Sequence, residues 1–248
     1  LEFRRVLFRS YRTANREFAL SASFERRHSE TELKGVPFPI TPGSVNGEIN
    51  LYVLRLAQEW SDRGAQHVLA LRSTINIGLN IGDATDDGTD RDAQFVSWLG
   101  QAQYGRRLFG TPTLLVLRTD VQWTDDRLLS PEQFSLGGAQ RGRGYREDQL
   151  LRDRGVFASA EVRFPLLARR DGEPLLQVGP FVDYGAGWNQ GITPHPSTLT
   201  SIGAGLILTP DRRVNAQLYW GYAFRDFATS ETDPQDWGLH FKVSAELF

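Results

Sequence analysis

Apolar side chains recur at every second position along most of this chain, and this alternation restricts the possible folds more than any other feature. Side chains of a β-strand point alternately to its two faces, so the alternation predicts strands with one apolar and one polar face. About ten segments show it: residues 17–27, 46–60, 66–80, 94–107, 113–123, 156–164, 175–188, 198–208, 213–225 and 237–247. Each predicted strand is long enough to cross a bilayer when tilted.

The connections between these segments alternate between short and long. Short turns at one end and long loops at the other are typical of outer-membrane barrels. Aromatic residues near the predicted strand ends fit interfacial girdles: Trp60, Trp123, Trp188, Tyr222 and Trp237. A water-soluble antiparallel sandwich also has alternating strands, but its strands average only about 5–6 residues. We therefore predict an all-β fold, an antiparallel transmembrane β-barrel.

Composition excludes several other classes of protein. The 28 Lys and Arg residues against 30 Asp and Glu residues leave a net charge of −2, which argues against a nucleic-acid binder. There is no cysteine, so neither a disulfide nor a thiolate metal site can form. The four histidines lack metal-ligand spacing, and neither a nucleophile elbow nor a phosphate-binding loop occurs. We expect no enzyme activity, no cofactor and no metal.

The first ten residues, LEFRRVLFRS, differ in character from the rest of the chain, which contains no methionine. We interpret residues 1–10 as a non-native remnant and expect residues 11–248 to be the C-terminal part of a barrel.

The connection at residues 124–154 has an unusual composition for a loop. It contains Phe134, the pair Gly137-Gly138, and the run from Arg141 to Tyr145. Loops of this length in a compact protein are usually functional or disordered, and this composition favours an ordered loop.

A carboxylate in a later strand offers this loop a partner. In residues 175–188, strand parity places Asp183 on the face opposite Val182 and Tyr184, so we expect it to point into the lumen. The hypothesis is that the loop folds into the barrel and that Arg143 meets Asp183 in a bidentate ion pair. The alternative is two unrelated charges, each solvated in the lumen.

Three stretches together resemble the two-partner secretion transporters, which form the haemolysin secretion/activation family: GGAQRGRGYRE, RGVFASAEVRFPL and PFVDYGAGWN. The resemblance implies a barrel of which this chain supplies about ten of sixteen strands, with periplasmic domains before it. It also implies that the loop Arg binds the Asp of a later strand. On that pattern the loop motif is Arg143, Gly144 and Tyr145, and the strand motif is Phe181, Asp183 and Gly185. Gly142 stands where the family has Val.

The resemblance also implies a location, partners and a function. We expect a pore in the outer membrane of a Gram-negative bacterium that translocates a large haemolysin- or adhesin-like exoprotein. The terminal Phe248 resembles the aromatic signal that barrel-assembly machinery reads, and outer-membrane lipid would surround the barrel. The alternatives are a barrel of the same superfamily that inserts outer-membrane proteins, and a passive porin.

Overall fold

The structure is a computed structural model that describes residues 2–38, 43–86, 88, 91–108, 110–211, 213–227 and 234–245. For residues 2–10, 37 and 234 it describes the backbone alone. The strands in these parts are β1 (Glu2–Arg12), β2 (Arg16–Glu30), β3 (Glu32–Leu33), β4 (Val36–Pro37), β5 (Glu48–Arg63), β6 (His67–Gly78), β7 (Phe95–Arg107), β8 (Leu114–Thr124), β9 (Phe134–Leu136), β10 (Leu150–Arg152), β11 (Arg154–Ala168), β12 (Pro174–Trp188), β13 (Thr198–Leu208), β14 (Val214–Ala223) and β15 (Leu239–Ala245). Two short 3₁₀ turns, Ser130–Glu132 and Pro234–Trp237, complete the secondary structure there.

One antiparallel sheet contains eleven of these strands, in the order β1-β2-β5-β6-β7-β8-β11-β12-β13-β14-β15. The ten predicted strands are all present, and β1 is an eleventh. It pairs along its length with β2, although most of its residues fall in the segment that we set aside as non-native. That origin stays a prediction. Within the described residues β1 and β15 form the two open edges of the sheet.

The alternation of short and long connections is confirmed. Short connections at one end of the sheet join β1 to β2, β5 to β6, β7 to β8, β11 to β12 and β13 to β14. Longer connections at the other end, here called the long loops, join β2 to β5, β6 to β7, β8 to β11 and β14 to β15, and residues 189–197 form a connection of intermediate length at that end. The hairpins β3–β4 and β9–β10 lie inside two of these long loops.

The two faces of the sheet differ in the way that the alternation predicts. One face, here called the outer face, exposes large apolar side chains on every strand of the eleven-stranded sheet from β2 to β15. Examples are Leu20, Leu56, Ile75, Val96, Leu117, Val182, Ile202, Trp220 and Phe241. The opposite, inner face carries the buried polar side chains, among them Asp120, Glu161, Asp183 and Ser201. This arrangement inverts that of a water-soluble protein, whose apolar residues are mostly inside.

The two apolar clusters of buried side chains lie between the inner face and residues 125–153, here called the inner loop. The first joins Leu128 and Leu129 of the loop to Ile49, Leu51 and Phe95. The second joins Phe134, Leu136, Tyr145 and Leu150 to Phe157 and Leu199. The inner loop is therefore an ordered part of the core. Within the described parts of the chain, no helix has the length and apolar character needed to cross a membrane.

Candidate functional site

A fully buried carboxylate, that of Asp153, lies at the base of the inner loop. Asp153 Oδ1 accepts hydrogen bonds from the Leu128 amide at 3.1 Å and the Gln133 side chain at 2.9 Å. Its Oδ2 accepts the Gln190 amide at 2.9 Å. One side chain thus joins the start of the loop, its end and the intermediate connection 189–197, and buried polar groups need such partners.

Glycines shape the tip of the loop. Gly137, Gly138, Gly142 and Gly144 have φ values of +115°, +74°, +135° and +99°, a region that side chains other than glycine rarely adopt. The Gly137 amide donates to Arg141 O at 2.7 Å, and the Tyr145 amide donates to Gly142 O at 3.2 Å. Gly142 stands where the family motif has Val. At the positive φ of Gly142, a β-branched side chain such as that of valine would be strained.

The structure brings Arg143 and Asp183 together. Arg143 Nε donates to Asp183 Oδ2 at 3.0 Å, and Nη2 donates to Oδ1 at 2.8 Å. The Arg143 amide also donates to Oδ2, at 3.1 Å. The two residues are only 6% and 2% exposed. The contact has the fork geometry in which a guanidinium meets a carboxylate through two parallel hydrogen bonds.

Two residues of β11 also accept hydrogen bonds from the Arg143 guanidinium. Arg143 Nη1 donates to Glu161 Oε2 at 2.6 Å, and Nη2 donates to Ser159 Oγ at 3.0 Å. Arg163 Nε donates to Glu161 Oε1, also at 2.6 Å. Two arginines therefore face two carboxylates, so the charges balance. Balance matters here because an uncompensated charge at this depth would be strongly destabilising.

Aromatic rings pack against the same guanidinium. Arg143 Cζ lies 3.5 Å from the centre of the Phe181 ring and 4.7 Å from that of Tyr219. The two rings meet edge to face, with centroids 5.9 Å apart. A planar guanidinium over a ring face gains a cation–π attraction that is larger when desolvated. Phe181 therefore contributes a ring face directly to the site.

At Gly144 the backbone of the loop lies close to the backbone of β14. The Gly144 amide donates to His240 Nε2 at 3.0 Å. A Cβ at Gly144 would lie 2.9 Å from Gly221 O, and one at Gly221 would lie 2.7 Å from the backbone of Arg143 and Gly144. Real Cβ atoms avoid such distances to backbone atoms, so both glycines allow this approach.

The other motif residues have distinct contacts. Tyr145 Oη donates to Thr200 O at 2.7 Å, and its ring meets Phe227 edge to face. A Cβ at Gly185 would lie 2.8 Å from Leu136 Cδ2, so this glycine makes room for β9. Phe248, the predicted assembly signal, lies outside the described residues.

Parity on β12 follows the sequence-based expectation with one exception. Phe181, Asp183 and Gly185 are buried on the inner face, and Val182 and Tyr184 are exposed on the outer face. Ala186, predicted to face outward, is only 2% exposed; its neighbours across the sheet are Val156 and Thr198.

Some residues of the site were not singled out from the sequence. Glu161 and Tyr219 lie on strand faces that were predicted to point inward. Strand parity alone does not show which of the inward-facing residues contact the loop. Arg141, a second loop arginine, donates from Nε to Asp120 Oδ2 at 2.8 Å, and Arg118 binds the same oxygen. Among the described residues, no group of three or more His, Asp or Glu side chains could hold a metal ion.

Several solved structures have a fold similar to that of this chain. CdiB from Escherichia coli is similar with a TM-score of 0.78 and 21% identity over 97% of this chain and 44% of that one. CdiB from Acinetobacter baumannii gives 0.69 and 15% over 89% and 38%. BamA from Haemophilus ducreyi lacking POTRA domains 1-3 gives 0.59 and 13% over 93% and 50%. The chain thus spans half or less of each of these relatives.

These neighbours are outer-membrane β-barrels, so the predicted fold class is confirmed. A search of curated proteins by sequence found no match. The family model described as "Haemolysin secretion/activation protein ShlB/FhaC/HecB" matches residues 1–208, including the first ten. That match covers most of the sequence. This chain belongs to the haemolysin secretion/activation protein family.

Proposed function

We propose that this chain forms part of a pore that passes a large partner exoprotein, haemolysin- or adhesin-like, across the outer membrane. Members of the family are outer-membrane β-barrel proteins of Gram-negative bacteria, and the outer membrane is where this chain resides. The observation that carries the proposal is the burial of Arg143 of the inner loop against Asp183 of the wall. The exposed apolar outer face would then lie against lipid.

The ion pair gives the loop one defined position inside the sheet. Moving the tip away would expose the balanced group of Arg143, Glu161, Asp183 and Arg163 and would break the contacts of the second apolar cluster. A buried ion pair is weak evidence for stability, and in some proteins such a pair fixes a unique conformation. We infer that Arg143 holds the loop where a passing polypeptide must meet it, and that transport depends on this position.

Substitution of either partner tests the proposal. In the full protein we expect Arg143→Ala or Asp183→Ala to lower secretion of the passenger to about one tenth or less, because each leaves a buried charge uncompensated. Secretion is measured as passenger in the medium. Heat-modifiable migration in gels shows whether the barrel has inserted. Arg107→Ala is the matched control, since it breaks an Arg–Glu pair whose side chains are 51% and 47% exposed.

Normal secretion by both inserted variants would contradict the proposal. The similarity to BamA favours one second candidate, a barrel that inserts outer-membrane proteins. In that case the variants would reduce the amounts of many outer-membrane proteins and not one secreted passenger. A passive porin would instead show steady conductance that does not depend on a passenger.

A further inference from the structure

A second group of balanced charges lies at the base of the inner loop, away from Arg143. Glu132 is buried with a side chain only 5% exposed. Arg55 of β5 donates to both of its carboxylate oxygens, from Nη1 at 3.0 Å and from Nη2 at 2.6 Å. This is again a contact through two hydrogen bonds, made by Nη1 and Nη2 where Arg143 uses Nε and Nη2, and here the carboxylate belongs to the loop and the arginine to the wall.

Two residues of β2 extend the group. Glu25 Oε2 accepts from Arg55 Nη2 at 3.3 Å, and Glu25 Oε1 accepts from Arg27 Nη2 at 2.9 Å. Arg27 Nη1 also donates to the Pro131 carbonyl at 3.0 Å. Arg27 and Arg55 thus face Glu25 and Glu132, so the charges balance. The arginines near Glu132 lie on the part of the wall formed by β2 and β5.

The apolar contacts divide the loop in the same way. Leu128 and Leu129 pack on Ile49, Leu51 and Phe95, whereas the tip packs on Phe157 and Leu199. The two clusters share no residue. Base and tip therefore have separate apolar contacts as well as separate ion pairs.

The base contact reaches across several strands. The inner loop leaves the sheet at the end of β8, but Glu132 binds Arg55 on β5, three strands away in the sheet order. At about 4.8 Å between neighbouring strands, that separation is roughly 14 Å along the wall. The Glu132 carbonyl also accepts from Gln122 of β8 at 3.0 Å, so this one residue links β8 to β5.

We propose that Glu132 is a second positioning residue, which holds the base of the loop to the β2–β5 wall independently of Arg143 at the tip. The base stays docked when the tip leaves Asp183, so tip movement pivots about the segment between Glu132 and Phe134. The relevance of this anchor to transport rests on the proposed function, whereas the anchor itself can be tested without a passenger.

Hydrogen exchange followed by mass spectrometry of the full protein in lipid nanodiscs tests the inference. The base offers protected amides at Leu128 and Glu132, and the tip offers them at Gly138 and Arg143. We expect Glu132→Gln to speed exchange at residues 126–134 about tenfold or more and to leave residues 138–147 unchanged, since a charged hydrogen-bond partner is lost locally. Arg143→Gln should do the reverse.

Three comparisons distinguish an anchor from a general loss of stability. Arg55→Gln should also speed exchange at residues 126–134, and the double variant should add little to it, because both changes remove the Glu132–Arg55 contact and Arg55→Gln removes the Arg55–Glu25 contact as well. Asp125→Asn is the matched control, since it removes a loop carboxylate that is 85% exposed. Should Glu132→Gln fail to insert, Glu132→Asp provides a variant that keeps the charge with a shorter side chain.

Unchanged exchange at residues 126–134 in Glu132→Gln would overturn the inference. Equal acceleration of base and tip in that variant would overturn it too, because it would show a single cooperative unit. Neither result bears on secretion by the wild-type protein, so failure of the anchor and failure of the proposed function remain distinguishable.

Discussion

Arg143 and Arg141 lie two residues apart in the loop tip but differ in what their guanidinium groups bind. Arg143 reaches three residues at once: Asp183, Glu161 and Ser159. Arg141 Nε donates to Asp120 Oδ2, which also accepts a hydrogen bond from Arg118. Arg141 Cζ lies 4.7 Å from the centre of the Phe134 ring. Of these two arginines, only Arg143 donates to a carboxylate through two parallel hydrogen bonds.

We therefore predict that Arg143→Lys fails to replace arginine, although it keeps the charge. A lysine ammonium is a compact point charge and cannot hold both Asp183 oxygens and Glu161 in the same geometry. Losing one or two charged hydrogen bonds should cost about 1.5–3 kcal/mol each. Passenger secretion should fall about as far as in Arg143→Ala, with faster exchange at the loop tip. Arg141→Lys is the control, and equal loss in both variants would contradict the distinction.

Sequence parity was sufficient to place Asp183 on the inner face, but not to place its neighbours. A shift of two residues between β11 and β12 keeps every side chain on its face, so parity cannot fix the register. The structure pairs Ser159 with Asp183 and Glu161 with Phe181, and this register brings Glu161 to the guanidinium. The contacts of Tyr219 and His240 with the loop tip could not be predicted either. These residues lie on later strands, β14 and β15, and parity does not fix the register of those strands.

At the scale of elements, the loop tip and β14 meet backbone to backbone. Gly221 lies opposite Gly144, and its amide donates to Gly238 O at 2.9 Å. Backbone contact of this kind requires glycine, because the atoms that a Cβ would meet belong to the main chain and cannot rotate away. We therefore expect the position of the tip to depend on β14 as well as on Arg143.

We predict that Gly221→Ala displaces the tip without removing any charge. Its Cβ would meet Arg143 and Gly144 backbone atoms at 2.7 Å, and overpacking of this kind costs about 1–3 kcal/mol. The variant should insert normally, show faster exchange at residues 138–147 and secrete less passenger. Gly105→Ala of β7 is the matched control, since its Cβ would meet only a leucine methyl at 3.9 Å. Unchanged exchange in Gly221→Ala would show that the tip does not depend on this approach.

The elements themselves were predictable to different degrees. The long strands were evident from the alternation of apolar and polar residues, because the two faces of each strand differ in polarity along its whole length. The hairpin β9–β10 was not, because its three-residue strands are held by contacts with β11 and β12 that are distant in sequence. β1 was set aside because LEFRRVLFRS differs in character from the rest of the chain, whereas the backbone of β1 pairs along its length with β2.

For the whole molecule, the inversion of polar and apolar faces is the property that determines its surroundings. Exposed leucine, valine, isoleucine and aromatic side chains continue across the sheet from β2 to β15, whereas monomeric soluble proteins rarely expose patches above a few hundred Å². Trp123 and Trp188 lie near the strand ends that lead into the long loops, and Trp60 lies near the opposite end. This distribution fits an apolar band between two interfacial girdles.

A charge on the outer face should therefore oppose membrane insertion, whereas a charge on the inner face should not. Val182 is 45% exposed near the middle of β12, between Ala160 and Ile202 of the neighbouring strands. We predict that Val182→Arg costs about 2–4 kcal/mol, the range for arginine near the bilayer midplane. Ser21→Arg is the control, because Ser21 lies on the inner face of β2 opposite Ala57. The inserted fraction, measured by resistance to urea extraction from membranes, should fall only in Val182→Arg, and equal insertion of both variants would contradict a lipid-facing outer surface.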